Sequence, residues 1–91
     1  MKKLVTVPVI EVENEGLVSL LGKKVMIFCM NYIYTGTLEG VNITCILLKD
    51  AGIVYATGSF DKKSFDDRQK LPFNVYIQVN SIESFMETDK S

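Results

Sequence analysis

The sequence predicts a mainly β domain, with a short N-terminal α-helix followed by a strongly bent five-stranded antiparallel sheet that forms a small open barrel. Three observations carry that prediction. Short runs rich in Val, Ile and Leu recur between Gly, Asn and Asp punctuation, as strands between tight turns do. A single window, residues 14–24, has helical spacing instead. Glycines also fall inside strand-like runs, at Gly36, Gly40 and Gly52, where a bend or bulge has a use for them.

In chain order, residues 1–13 contain "LVTVPVIEV", β-branched but interrupted by Pro8, which cannot donate to a sheet ladder; this reads as an edge strand or extended arm. Asn14 is a candidate N-cap, Leu17, Leu20 and Leu21 follow at i, i+3, i+4, and Gly22 supplies the stop, giving a helix of about two turns. Residues 23–30 are apolar almost without alternation, so this strand should be covered on both faces. Asn31 and Tyr32 make the next turn. Residues 33–41 form a strand bent at Gly36 and ended near Gly40, and residues 43–52 form another, closed by a turn or bulge at Asp50, Ala51 and Gly52 and continued by residues 53–60. Residues 61–70 read as a polar loop. Residues 73–79 and 81–87 are the last two strands, with a very short connection at Asn80 and Ser81. The domain therefore spans residues 14–87, and residues 88–91 read as a polar tail.

Composition narrows the function. Ninety-one residues suit one domain, whose small core makes oligomerisation a sensible source of extra stability. The sequence has no histidine, which removes the usual general base, the Ser-His and Cys-His nucleophile pairs and the commonest zinc ligand. The adjacent carboxylates Asp66 and Asp67 sit in the polar loop, so the reading is a non-enzymatic protein without metal or cofactor. No apolar run reaches the ~18–20 residues that cross a bilayer, and the basic start lacks a signal-peptide apolar core. A cytoplasmic protein is expected, with Cys29 and Cys45 reduced and serving as small buried hydrophobes rather than a redox pair. A net charge of −1 gives no global attraction to polyanions. Local candidates are Lys23 with Lys24, and Lys62, Lys63, Arg68 and Lys70, the latter set diluted by Asp61, Asp66 and Asp67.

The stretch "LLGKKVMIFCMNYIYTGTLEGVN", residues 20–42, resembles the first motif of the Sm/LSm family, small RNA-binding proteins that assemble into rings. The sequence Ile77-Gln78-Val79-Asn80-Ser81-Ile82 matches the outline of that family's second motif. Glycines and aliphatic residues at these spacings also suit other SH3-like barrels. The sequence departs from the family where the family contacts RNA. Counting from Gly40, the family's Asp, its base-stacking ring and its base-reading Asn correspond to Asn42, Thr44 and Ile46, and its Arg-Gly pair corresponds to Gln78-Val79.

The resemblance implies a homo-oligomeric ring of about five to seven subunits that binds single-stranded RNA, or DNA, through a polar surface of Asn42, Thr44, Gln78, Asn80 and Ser81. Each of these also has a simpler reading, as a turn former that satisfies local backbone. Tyr32 and Tyr34, two residues apart on one strand face, offer barrel packing, a subunit contact or a second stacking platform. Family rings close by pairing the fourth strand of one subunit with the fifth of the next, which implies an interface of Phe73, Val75, Tyr76, Ile77, Val79, Ile82 and Phe85. The alternative is a ring-forming protein-interaction scaffold with no nucleic-acid role.

Overall fold

Val25, Met26 and Ile27 are fully buried in succession, which a strand achieves only where both sheet faces are covered. They belong to β1 (Lys24–Cys29), followed by β2 (Ile33–Val41), β3 (Cys45–Ala56), β4 (Asp67–Lys70), β5 (Val75–Gln78) and β6 (Ile82–Glu87). The computed structural model describes residues 16–91. The arm expected over residues 1–13 and the capping Asn14 lie outside the described residues.

Every strand pair is antiparallel. The sheet runs β4-β3-β2-β1-β6, and β5 also pairs with β3. The twelve-residue β3 serves both short strands: Cys45, Ile46, Leu47 and Leu48 face β5, whereas Gly52, Ile53, Val54 and Ala56 face β4.

Three expectations change. The sheet has six strands rather than five, because residues 67–70, read as loop, pair with β3. Their side chains are exposed or half-buried, so no apolar alternation marks them; backbone pairing and Arg68, which donates from Nε to Thr35 Oγ1 at 2.7 Å and from Nη2 to the Asp50 carbonyl at 2.9 Å, hold them. The sheet is not closed into a barrel: among the described residues β6 pairs with β1 alone, and neither β4 nor β5 pairs with β6. A 3-10 turn, Val79–Ser81, redirects the chain between β5 and β6. The expected α-helix is a 3-10 helix, Leu17–Leu20. Gly16 at φ 73 and Leu21 in extended conformation (ψ 132) confine it to four residues, too few for an α-helix to propagate.

The bends fall at the predicted glycines. The β2–β3 register shifts between Thr35 and Thr37 and again between Leu38 and Gly40. At Gly36 a Cβ would lie 2.8 Å from the Lys49 carbonyl oxygen, so only glycine allows the two strands this approach. Opposite it, Asp50 takes the left-handed conformation at φ 52.

The core gathers Val25 and Ile27 of β1, Leu38 of β2, Ile46, Leu48 and Ala51 of β3, and Ile77 of β5. Leu17, Leu20, Val79 and Ile82 pack against it from the two 3-10 turns and the start of β6. Cys29 also packs there and Cys45 is half-buried; both thiols are free. Residues 88–91 are tied down. Thr88 N–H donates to Lys24, Ser91 N–H donates to Lys63, and Lys90, only 3% exposed, sends its ammonium to the carbonyls of Ser59 (2.7 Å) and Lys62 (2.9 Å) beside the Phe65 ring. No helix among the described residues is long and apolar enough to cross a membrane.

Candidate functional site

Two turns from distant parts of the chain meet at one end of β3. Cys45 is in register with Gln78, and Val79 N–H donates to the Thr44 carbonyl at 2.9 Å. The β2–β3 turn is thereby fixed beside the β5–β6 turn, which brings Asn42 and Thr44 near Gln78, Asn80 and Ser81.

Their side chains then divide. Asn42 Oδ1 accepts three hydrogen bonds: from Thr44 N–H at 2.8 Å, Cys45 N–H at 2.8 Å and the Thr44 hydroxyl at 2.9 Å. This is an Asx-type turn, in which the side-chain oxygen replaces a backbone acceptor. Asn42 and Thr44 thus satisfy one another and the local backbone. Asn42 lines an apolar hollow of about 500 Å3 with Leu17, Val18, Val41, Ile43, Val79 and Phe85; Ile43, at the tip of the turn, is 95% exposed.

Gln78, Asn80 and Ser81 instead line a groove of about 730 Å3. Its opposite wall comes from the β1–β2 turn and the start of β2, with Cys29, Asn31, Tyr32 and Tyr34; Tyr76 projects from β5, and Ile82 and Glu83 from the start of β6. Period-two alternation explains the wall from β5: Ile77 is buried in the core while Tyr76 and Gln78 are exposed. Tyr32 and Tyr34 meet edge to face, with centroids 6.1 Å apart and planes at 61°, a favourable quadrupolar arrangement. Burial raises the pKa of the Tyr34 phenol, with smaller contributions from Cys29 and Tyr32. Burial alone raises that of the Cys29 thiol. Both groups are neutral near pH 7.

The electrostatics of the groove are equally specific. No lysine or arginine lines it, and Glu83 is its one charged lining residue. The groove is therefore a cation-free aromatic and amide surface with one carboxylate, Glu83, able to stack planar groups and exchange hydrogen bonds with them. Among the described residues no cluster of His, Cys, Asp or Glu could hold a metal ion. Asp66 is in an ion pair with Lys62 at 3.0 Å, and Asp67 pairs with Ala56 across β3 and β4.

Of the residues named for a subunit interface, Phe73 (81% exposed) and Tyr76 (70%) are open and Phe85 is partly open (38%), whereas Ile77 belongs to the core. Val75, Val79 and Ile82 are half-buried against that core. Sequence reasoning did not bring Cys29, Asn31, Tyr76 and Glu83 into one site with Gln78. The tyrosine spacing at residues 32 and 34 was the available signal. No protein-family model matches this sequence, and no curated protein matches it, so the chemistry of the site rests on its geometry.

Proposed function

We propose that this chain is a non-enzymatic protein that binds single-stranded nucleic acid, RNA in the first instance, and acts in the cytoplasm as a homo-oligomeric, Sm-like ring. One observation carries the reading: Tyr32, Tyr34 and Tyr76 share a groove with Gln78, Asn80 and Ser81. Aromatic stacking contributes roughly 1–3 kcal/mol per base whatever the base, and amides bond base edges. Three tyrosines supply the stacking that Thr44 cannot. Modest contacts of this kind, repeated in each subunit, add through avidity.

Assembly is supported by two strand edges that have no partner among the described residues. Among the described residues β5 pairs only with β3 and β6 only with β1, and exposed Tyr76, partly open Phe85 and Met86 lie on those strands. Addition of one chain's β6 to the β5 of a second is a heterologous contact that closes by rotation. The cation-free lining and Glu83 favour a second reading, a scaffold that docks an extended protein segment.

Fluorescence anisotropy with a short uridine-rich RNA separates the two. Tyr32→Ala, on an exposed turn, should weaken binding at least about tenfold, the low end of one lost stacking contact repeated around a ring. Matched DNA as competitor ranks the two nucleic acids. An unchanged affinity in Tyr32→Ala, or no RNA binding by the wild type at low salt, hands the groove to the scaffold reading. Light scattering tests the ring: Phe85→Asp should convert an oligomer to a monomer.

A further inference from the structure

Four cations of this slightly acidic chain gather around one hollow of the sheet. A hollow of about 230 Å3 is walled by Lys24 of β1, Arg68 and Lys70 of β4, and Lys90 of the docked C-terminal segment. Lys23, Lys62 and Lys63 are each in an ion pair with Glu87, Asp66 and Asp89 respectively. None of the four cations of the hollow makes an ion pair with a described carboxylate; the remaining described cation without one is Lys49, outside the hollow. Like charges share one wall on which Asp50 is the one acidic side chain, an arrangement that favours an anion between them.

The wall is also rigid. Arg68 is fixed by Thr35 Oγ1 and the Asp50 carbonyl, and its guanidinium lies flat against Gly52, where a Cβ would come within 2.6 Å of Cζ. Lys90, almost wholly buried, is held by the carbonyls of Ser59 and Lys62. Guanidinium carries five N–H donors, so Arg68 keeps donors beyond its two bonds, whereas the Lys90 ammonium is turned to the Ser59 and Lys62 carbonyls and adds only its charge. Thr35, Thr37 and Thr88 lie on the same wall. A water occupies roughly 30 Å3 of liquid, so the hollow admits a tetrahedral oxyanion with part of its hydration shell.

We infer that the hollow between β1, β2, β4 and the C-terminal segment is a phosphate-binding site, with Arg68 as its fixed donor and Lys24 and Lys70 as its mobile rim. A phosphate has the charge and the several acceptor oxygens that this donor set matches, and charge-assisted bonds are the strong ones. The phosphate comes either from solution or from a nucleic-acid backbone. The site does not rest on the tyrosine groove.

The test titrates inorganic phosphate into the full chain at constant ionic strength, with chloride as the reference, and follows backbone amide resonances by NMR. Saturable shifts are expected at Gly36, Thr37, Arg68 and Thr88. The double variant Lys24→Gln, Lys70→Gln alters only exposed side chains and should weaken phosphate about fivefold, as for loss of two partly solvated charges. Lys49→Gln should leave it unchanged. Gly52→Ala, which displaces Arg68, should weaken it as well. Absence of saturable shifts overturns the site, and so does a Lys49→Gln loss equal to that of the double variant. A short uridine-rich RNA then identifies the source. If the double variant also loses RNA affinity and its log-log salt slope falls by about 0.7 per lost phosphate contact, the phosphate belongs to the chain. If phosphate still binds the wild type but RNA affinity is unaffected by the double variant, the site takes free phosphate.

Discussion

Replacing Asn42 by alanine separates a structural asparagine from a base-reading one. The side-chain oxygen accepts from two backbone N–H groups at 2.8 Å and one hydroxyl at 2.9 Å. All three donors are exposed, so after truncation water rehydrates them, and the loss is that of a capping interaction rather than of buried unsatisfied groups. Capping substitutions of this kind cost about 0.5–2 kcal/mol. We expect Asn42→Ala to lose about 1 kcal/mol, which lowers Tm by about 4–8 °C in a domain of this size. Asn42→Asp keeps the accepting oxygen and should stay within about 0.5 kcal/mol of wild type. Urea denaturation followed by far-UV circular dichroism at one fixed protein concentration reads both, with concentration held because assembly shifts apparent stability. If alanine is as stable as asparagine, or aspartate as damaging as alanine, the oxygen does not hold the turn. A loss of RNA affinity in Asn42→Asp at unchanged stability would make Asn42 a reader after all.

The remaining predictions concern Cys29 and Gly36. Burial raises the Cys29 pKa above its ordinary 9.0, so in a Cys45→Ser background the pH midpoint of iodoacetamide alkylation should lie above that of free cysteine; a midpoint at or below it removes the burial argument. Because the folded state favours the neutral thiol, its contribution to stability is fully present below the unfolded pKa and lost as pH rises through the folded one. Gly36→Ala drives a Cβ to 2.8 Å from a backbone oxygen, whereas at Gly40 the nearest contact would be an ordinary 3.8 Å. Thermal melts should therefore show a loss of about 1–3 kcal/mol for Gly36→Ala and a much smaller one for Gly40→Ala.

The carriers of the bend were legible because their chemistry is local. The apolar run over residues 23–30, almost without alternation, reads as a strand covered on both faces, and Gly36 within a strand reads as a bend; Val25, Met26 and Ile27 are buried and a Cβ at Gly36 would clash with the Lys49 carbonyl. The polar strand Asp67–Lys70 was not legible. Its stability comes from pairing with β3 and from Arg68 reaching Thr35, 33 residues away, and neither leaves a pattern in its own residues. The short helix failed differently: the leucine spacing was right, but Gly16 and Leu21 leave it too little length to become an α-helix.

Periodicity, glycine positions and the absence of histidine are properties of neighbouring residues or of composition, so the sequence by itself determined a bent antiparallel β domain, its main strands, and the loss of histidine-dependent chemistry. Which polar residues share a surface depends on pairings between segments far apart in the chain, which only tertiary structure decides. Asn42 and Thr44 turned inward on one another, while Gln78, Asn80 and Ser81 met three tyrosines from the β1–β2 turn, β2 and β5. Lys90, in a segment that reads as a solvated tail, became a buried cation because the loop from Ser59 to Phe65 offered it two carbonyls and an aromatic face. A lysine leaves water only where such partners replace its hydration, and no local pattern in the sequence records where those partners will be.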